Sequence, residues 1–450
     1  ERSGLSARRL AAAGCALPAA ALAWCLTAGR DVRPAGFVLG TSILAAIPLV
    51  CPWAVTLAAS SLRARSFSMV YGLQSLARRL GISSFTAASL AVAVSMLVGI
   101  TIMVGSFRRT LETWVGATVT ADVYVTTPSA QRARGEATLD PGVVEALGAH
   151  PDVAQVDLLR QLFADVGGRR ASILGVRMDL PGGESRFALL DADAAEACRS
   201  AAQRGAVLVG EPLARRLGIG AGDRVTIAAG SGEYEATVAG VYFDYGGERG
   251  SVSMDLREMA RRFGPGQPGN AALYLRPGAD AETVVDELRQ DLGGTPLVAR
   301  SNRTLRTQIM AVFDQTFAVT RLLQAMSLLI ALCGVTLALL VLARERVAEL
   351  ALYRALGASR AQVAGMFVGK GLGLALFGML LGTAGGIALA LILVLQINRA
   401  YFGWTIALHW PAAELAGQAG LLLAAAAGAS LYPAFLAGRT PATELSRDDL

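Results

Sequence analysis

Six stretches of the chain are mostly apolar over the length of a long helix: Leu10–Ala28, Ala35–Ala59, Phe85–Gly105, Phe317–Ala343, Val363–Ile397 and Leu415–Ala437. About 20 apolar residues in a helix suffice to cross the ~30 Å hydrocarbon core of a bilayer. The pattern therefore predicts six membrane spans. Between the third and the fourth, from about Thr120 to Arg300, polar and apolar residues mix as they do in a water-soluble domain.

Within that insert the period shortens. Asp122–Thr126 alternates like a strand, and Asp140-Pro141 opens a short helix through Ala149. Leu158–Val176 holds two strand-like runs around Gly167-Gly168. Val225–Ala228 and Tyr234–Val241 flank Gly230-Ser231-Gly232, a second hairpin signal. Asp280–Leu292 reads as an amphipathic helix. One or two compact α+β lobes are expected. The fold class is then a membrane α-helical bundle of about six spans with a large extracytoplasmic α+β domain. Its linear division is a two-span hairpin (1–61), an interfacial helix and span (62–105), a stalk and outer domain (106–316) and a three-span core (317–450).

Composition agrees, with 53% hydrophobic and 17% charged residues, against about 25% charged in soluble domains. The net charge of +6 does not imply nucleic acid, because the arginines cluster beside the apolar runs. There, topology and lipid headgroups account for them. Arg2, Arg8 and Arg9 precede the first span. Arg63, Arg65, Arg78 and Arg79 separate the second from the third. Arg344, Arg346, Arg354 and Arg360 separate the fourth from the fifth, and Arg439 and Arg447 follow the sixth. Placing all four groups in the cytoplasm puts both termini inside and the insert outside. Arg30, Arg33, Arg108 and Arg109 run against that rule. Tyr401-Phe402-Gly403-Trp404 and Trp410, after the fifth span, suit an aromatic belt. Of the five cysteines, four lie in apolar runs, so no disulfide framework is readable. The chain begins at Glu1, as a processed product or a piece of a longer polypeptide would, and no convincing cleavable signal peptide opens it.

No span carries Asp, Glu, Lys or Arg near its middle; Arg321 and Lys370 sit towards ends, where they can snorkel. Ion-coupled transport and proton relays need ionisable groups at mid-depth, so both are disfavoured. Gly378, Gly382 and Gly386 instead form a small-residue seam suited to close helix packing.

Three elements flank the spans. Met69, Val70, Leu73, Leu76 and Leu80 make one apolar face beside Arg78 and Arg79, which predicts an interfacial helix along the inner leaflet, in contact with membrane lipids. Leu305, Ile309, Phe313 and Phe317 recur every fourth residue and lead straight into the fourth span, while Leu111 and Val115 continue the third outward. These stripes predict two projecting helices packed as a stalk. Finally, Arg344–Arg360 reads RERVAELALYRALGASR. It is rich in helix formers, Gly357 is placed to end a helix, and Ser359 with Gln362 has capping-box spacing for the next. Such a rigid elbow would pass an applied force to both adjoining spans.

These residues resemble the FtsX-like permease family, which includes the lipoprotein-releasing and MacB-type ABC transporters. The similarity runs from about Tyr71 to the C-terminus. Glu345, Arg346, Glu349, Leu350, Arg354, Ala355, Leu356, Gly357, Ala358 and Ser359 match its coupling segment. Tyr432-Pro433-Ala434, Arg439, Pro441 and Leu445 match its C-terminal pattern, and Gly210–Gly222 (GEPLARRLGIGAG) a stretch of its outer domain. The resemblance implies an outer domain of MacB-like periplasmic type and a separate ABC ATPase docked on the coupling helix. Glu349 and Arg354 would make charged contacts there, and Leu352 and Leu356 apolar ones. ATP and magnesium would sit on that partner, with no cofactor bound by this chain. A second permease unit is also implied, either another copy or a homologous half. The first two spans look like the middle pair of duplicated ten-span members, so this chain would correspond to the second half of one. Localisation in a bacterial plasma membrane follows, and an outer protein partner is compatible with the plan.

An enzyme is not expected. His150 and His409 belong to no HExxH or Cys/His cluster, and no GxSxG is present. Gly365, Gly369 and Lys370 fall one residue short of phosphate-loop spacing, and Gly371 stands where Ser or Thr is needed. No catalytic, cofactor or metal residue is nominated. The runner-up function is a membrane-anchored sensor or scaffold that regulates an outer partner such as a cell-wall hydrolase. Substrates open to the permease reading are lipids, lipoproteins and peptides.

Overall fold

The computed structural model describes residues 2–27, 34–61, 80–128, 138–180, 182–230, 232–247, 249–292, 296–344 and 359–439. The expected interfacial helix, apart from Leu80, lies outside these residues. So do Glu345, Arg346, Glu349, Leu352, Arg354, Leu356 and Gly357 of the elbow. Contacts divide the chain into two units. One comprises 1–107, 317–400 and 406–450; the other comprises 108–316 together with 401–405.

The chain begins with α1 (Arg2–Thr27), α2 (Ala35–Ser61) and α3 (Leu80–Thr118). The second unit follows with β1 (Val123–Thr126), α4 (Pro141–Ala149), β2 (Val153–Val166), β3 (Arg169–Val176), α5 (Ala194–Arg204), β4 (Val207–Gly210) and α6 (Glu211–Leu217). It continues through β5 (Arg224–Ala229), β6 (Gly232–Tyr242), β7 (Ser251–Asp255), α7 (Leu256–Phe263), β8 (Asn270–Leu275), α8 (Ala281–Asp291), β9 (Val298–Ser301) and α9 (Asn302–Thr316). Last come α10 (Ala318–Arg344), α11 (Arg360–Ile392), a π-helical turn (Leu393–Ile397), α12 (Asn398–Phe402) and α13 (Ala412–Arg439).

In the outer unit the strands run β3-β7-β4-β6-β5-β2-β8-β1-β9, and β3 also pairs with β2. The 14-residue β2 serves two lobes. Val153–Leu159 pairs antiparallel with β8, and Arg160–Val166 with β3 across the Gly167-Gly168 turn. Each lobe has its own core. Val123, Leu139, Leu147, Leu273 and Val284 fill one; Ile173, Val209, Leu213, Ile227, Met254 and Met259 fill the other. Both hairpins read from glycine turns are present, the second joining Ala229 to Gly232. Asp140 caps α4 from its expected place, and Asp193, Asp255 and Asp280 cap α5, α7 and α8 in the same way. Each carboxylate accepts an otherwise orphaned first-turn N–H.

In the membrane unit, five described helices are long and apolar enough to cross a bilayer, and α9 with α10 makes a sixth if that bent pair is one span. α3 is central: 67% of its crossing window is buried, against 11–33% for the others. Leu90, Val94, Leu97, Val98 and Ile102 of α3 pack with Ala331, Ala375, Ala390, Leu422 and Ala426 from α10, α11 and α13. The glycine seam explains how α3 and α11 approach. A Cβ on Gly378 would lie 2.6 Å from Leu90, one on Gly382 2.6 Å from Val94, and one on Gly386 2.7 Å from Val98. Ser95 donates its hydroxyl to the Gly382 carbonyl at 2.7 Å in the same contact. One uncharged polar cluster sits among the spans. Thr101 donates to Leu97 O and accepts from the side-chain amides of Gln324 at 3.2 Å and Gln418 at 3.0 Å. It ties α3, α10 and α13 together without placing an ion in lipid.

Candidate functional site

α3 carries the stalk residues Leu111 and Val115. It is one helix of 39 residues, about 58 Å long at 1.5 Å per residue, so it exceeds the ~30 Å of a bilayer core. Its residues through Phe107 belong to the membrane unit and the remainder to the outer unit.

Residues 108–118 of α3 run alongside α9. Arg306 donates to the carbonyls of Gly116 (3.2 Å) and Val119 (2.6 Å), and Asn302 donates to Val119 and Ala121. At the other end of α9, Arg108 pairs with Asp314 at 3.6 Å. These ties make the two helices antiparallel. Arg306 and Asn302 also satisfy carbonyls that the end of α3 would leave unpaired. The apolar stripe itself is divided unequally: Leu111 and Val115 are fully buried, while Leu305, Ile309 and Phe313 are only partly so. The expectation that this stripe leads straight into the fourth span needs correction. α9 stops at Thr316, and α10 starts at Ala318. Phe317 lies in a turn between them, its carbonyl accepting from Arg321 N and its ring edge-on to Phe107 at 5.1 Å.

The arginines that ran against the charge rule are also explained. Arg108 pairs with Glu112 and Asp314, and Arg109 with Glu112. They serve as stalk ion pairs and are not isolated positive charge. Arg30 and Arg33 lie outside the described residues.

The contacts of a second segment are not legible in the sequence. The segment 401–405, read as part of an aromatic belt, belongs to the outer unit. Thr405 donates its hydroxyl to Glu211 Oε1 at 2.5 Å and its N–H to Glu211 Oε2 at 3.0 Å. Arg215 donates from Nε and Nη2 to the same carboxylate, and from Nη2 to the Thr405 hydroxyl. Tyr245 donates to the Thr405 carbonyl at 2.5 Å. Burial, with the Glu211 carboxylate adding to it, pushes the Tyr245 phenol above its ordinary value, so it stays a donor. Trp404 stacks on Phe402 and meets Tyr245 edge-on, while Tyr245 meets Trp114 of α3. Gly403, at φ 75°, lets the chain pass Pro212, since a Cβ there would lie 3.0 Å from the Pro212 Cα. Glu211, Pro212 and Arg215 are part of the GEPLARRL stretch that resembled a family pattern. Trp410 is exposed.

Of the coupling residues expected in the elbow, Ser359 alone is described. Its hydroxyl accepts from Gln362 N and its own N–H donates to Gln362 Oε1, the reciprocal cap anticipated for α11. Leu80 is the first residue of α3.

His150, Asp152 and Glu287 converge in the outer unit. His150 Nδ1 accepts from Asp152 N at 3.3 Å and Nε2 lies 3.3 Å from Glu287. Both ring nitrogens thereby have a polar partner among the described residues.

Residues 83–291 match the family described as MacB-like periplasmic core domain, and residues 322–442 the one described as FtsX-like permease C-terminal. An uncharacterized ABC transporter permease protein of Mycobacterium tuberculosis is 31% identical over 372 residues, which are 81% of this chain and 43% of the relative. The chain thus spans less than half the length of that relative. The periplasmic region of MacB from Actinobacillus actinomycetemcomitans aligns with 45% of this chain and 98% of its own, at 14% identity and TM-score 0.32. The extracellular domain of the noncanonic ABC-type transporter YknZ from Gram-positive bacteria aligns with 40% and 99%, at 14% identity and TM-score 0.28. Neither structural likeness is close enough to carry an argument. The two sequence matches, with apolar helices on both sides of an α+β unit, show that this chain belongs to the FtsX/MacB-type permease family.

Proposed function

We propose that this chain is the membrane subunit of an ABC transporter that works by mechanical transmission. A separate ATPase on the cytoplasmic side binds ATP and magnesium and docks on the elbow 344–359. Its cycle moves the helices joined to that elbow, and the outer domain responds. The outcome is export or extraction of a lipid, lipoprotein or peptide across or from a bacterial plasma membrane. A second permease unit completes the assembly. A relative of which the aligned residues make up only 43% is consistent with a homologous half in that role.

The observation that carries this reading is the unbroken α3. A helix shared by the bundle centre and the stalk transmits a shift without a hinge. The uncharged span interiors fit the same picture, because no ion or proton need pass through them.

The test uses the full chain with its ATPase in nanodiscs. Leu356→Asp should release the ATPase, since an apolar anchor at a docking site carries a large share of the binding energy. Gly357→Val, by straining a helix-ending position, should keep the ATPase bound but uncouple hydrolysis from transport. Wild-type retention and stimulation in both variants, at normal expression, would overturn the proposal and favour the sensor reading.

A further inference from the structure

Four arginines surround one cleft in the outer unit, between the end of α5 and one side of α7. Arg204, Arg257, Arg261 and Arg262 line it, and its volume is about 480 Å³. Two carboxylates lie beneath them, both buried: Asp255 at 2% exposure and Glu258 at 8%.

The arrangement is built from inside outward. Glu258 accepts from Arg262 Nε at 2.8 Å on one oxygen and from Arg261 Nη1 at 3.2 Å on the other. Gly205, at φ 67°, makes room for this, since a Cβ there would lie 3.2 Å from the Glu258 carboxyl carbon. Asp255 caps α7 and takes Arg257 Nε at 3.0 Å, while Arg257 Nη2 reaches Asp179. The Arg262 guanidinium also lies over the Tyr234 ring, 4.4 Å from its centroid. Arg257 is thus held through two nitrogens and Arg261 and Arg262 through one each, and the other two nitrogens of Arg261 and of Arg262 have no hydrogen-bond partner among the described residues. Arg204 has no ion pair among the described residues.

Capping of helix ends accounts for some of this charge, since Arg204, Arg261 and Arg262 fall in last turns. It does not account for their convergence. Cations that serve only a helix end can spread into solvent. Here buried carboxylates hold three of the arginines around one concavity that Arg204 also lines, with four positive groups lining it against two negative ones. Guanidinium groups gathered in this way, with N–H donors left over, match the oxygens of a phosphate group, which accepts paired N–H bonds.

We infer that this cleft binds a phosphate-bearing anion. The group could be presented by a lipid headgroup or arrive as a free phosphate compound. The site is independent of the coupling reading, because it can fail while ATPase stimulation remains normal.

The test is calorimetric titration of the full chain in phosphatidylcholine nanodiscs. One arm uses pyrophosphate, and the other a soluble short-chain phosphatidylglycerol. Saturable binding of pyrophosphate supports the site and shows that the free group suffices. Binding of the lipid alone supports it and assigns a headgroup. The double variant Arg204→Gln/Arg261→Gln should weaken binding about tenfold or more, as expected from losing charge-assisted hydrogen bonds. Arg224→Gln, which removes an exposed arginine from β5, is the control and should bind as the wild type does. Absence of saturable binding in both arms overturns the inference. So does equal weakening by Arg224→Gln, which would mean general charge attraction. Unchanged thermal unfolding of the double variant would show that its loss is not misfolding.

Discussion

Thr405 and Glu211 are 194 residues apart in sequence, yet both oxygens of the Glu211 carboxylate accept hydrogen bonds from Thr405. Glu211 is 1% exposed, so this pair and Arg215 form a largely dry cluster. Residues 401–405 are thereby gripped within the outer unit, and the grip should matter to its stability.

Double-mutant analysis of Glu211→Gln and Thr405→Val should reveal this grip. Removing one partner of a buried ionic cluster costs roughly 3–5 kcal/mol, and removing the hydroxyl about 1–2 kcal/mol. Because the residues share bonds, the two losses should not add. Strict additivity in thermal or denaturant unfolding would mean the contact contributes nothing.

At the stalk, Arg306→Ala should loosen the outer end of α3. Arg306 serves the carbonyls of Gly116 and Val119, which have no successor turn to accept from. Amide exchange between residues 116 and 122 should accelerate, while the β4 core stays protected. Uniform acceleration across the outer unit would indicate global destabilisation instead.

The seam between α3 and α11 predicts a sharp contrast among glycines. Gly382→Ala would push a Cβ to 2.6 Å from Val94 and 2.7 Å from the Ala91 carbonyl. Overpacking of this kind costs roughly 1–3 kcal/mol. Gly428→Ala, where a Cβ meets nothing within 4 Å, should be neutral. Comparable thermal stability of the two variants in detergent would contradict the packing described.

A pH dependence follows from Asp244. Burial raises its carboxyl above the ordinary value of 3.8, although hydrogen bonds from Ser251 and Gly246 pull the other way. The folded value exceeds the unfolded one. Its stabilising contribution is therefore complete below the unfolded value and is lost as pH rises through the folded one. Asp244→Asn keeps the shape without the charge, so it should flatten that loss and stabilise the outer domain at neutral pH. An unchanged slope of unfolding temperature against pH would refute the assignment.

The sequence by itself determined what depends on neighbours along the chain. Apolar runs long enough for a bilayer fixed the spans. Gly167-Gly168 and Gly230 to Gly232 fixed two hairpins, because few other residues allow such turns. Asp140 and Ser359 announced helix starts, because a cap acts within one turn. The expected elbow and interfacial helix are local readings of the same kind and, apart from their ends, lie outside the described residues. Tertiary structure decided where distant residues meet. Nothing in the aromatic run 401–404 distinguishes a membrane belt from a wedge against Tyr245, since either environment takes an aromatic ring with a polar edge. Nothing in GEPLARRL indicates that Glu211 will be buried, because its partner Thr405 lies 194 residues further along the chain. The centrality of α3, the division of β2 between two lobes and the break at Phe317 are likewise set by packing. Their energies come from solvent exclusion and pair geometry between segments far apart in the chain, which no local period encodes.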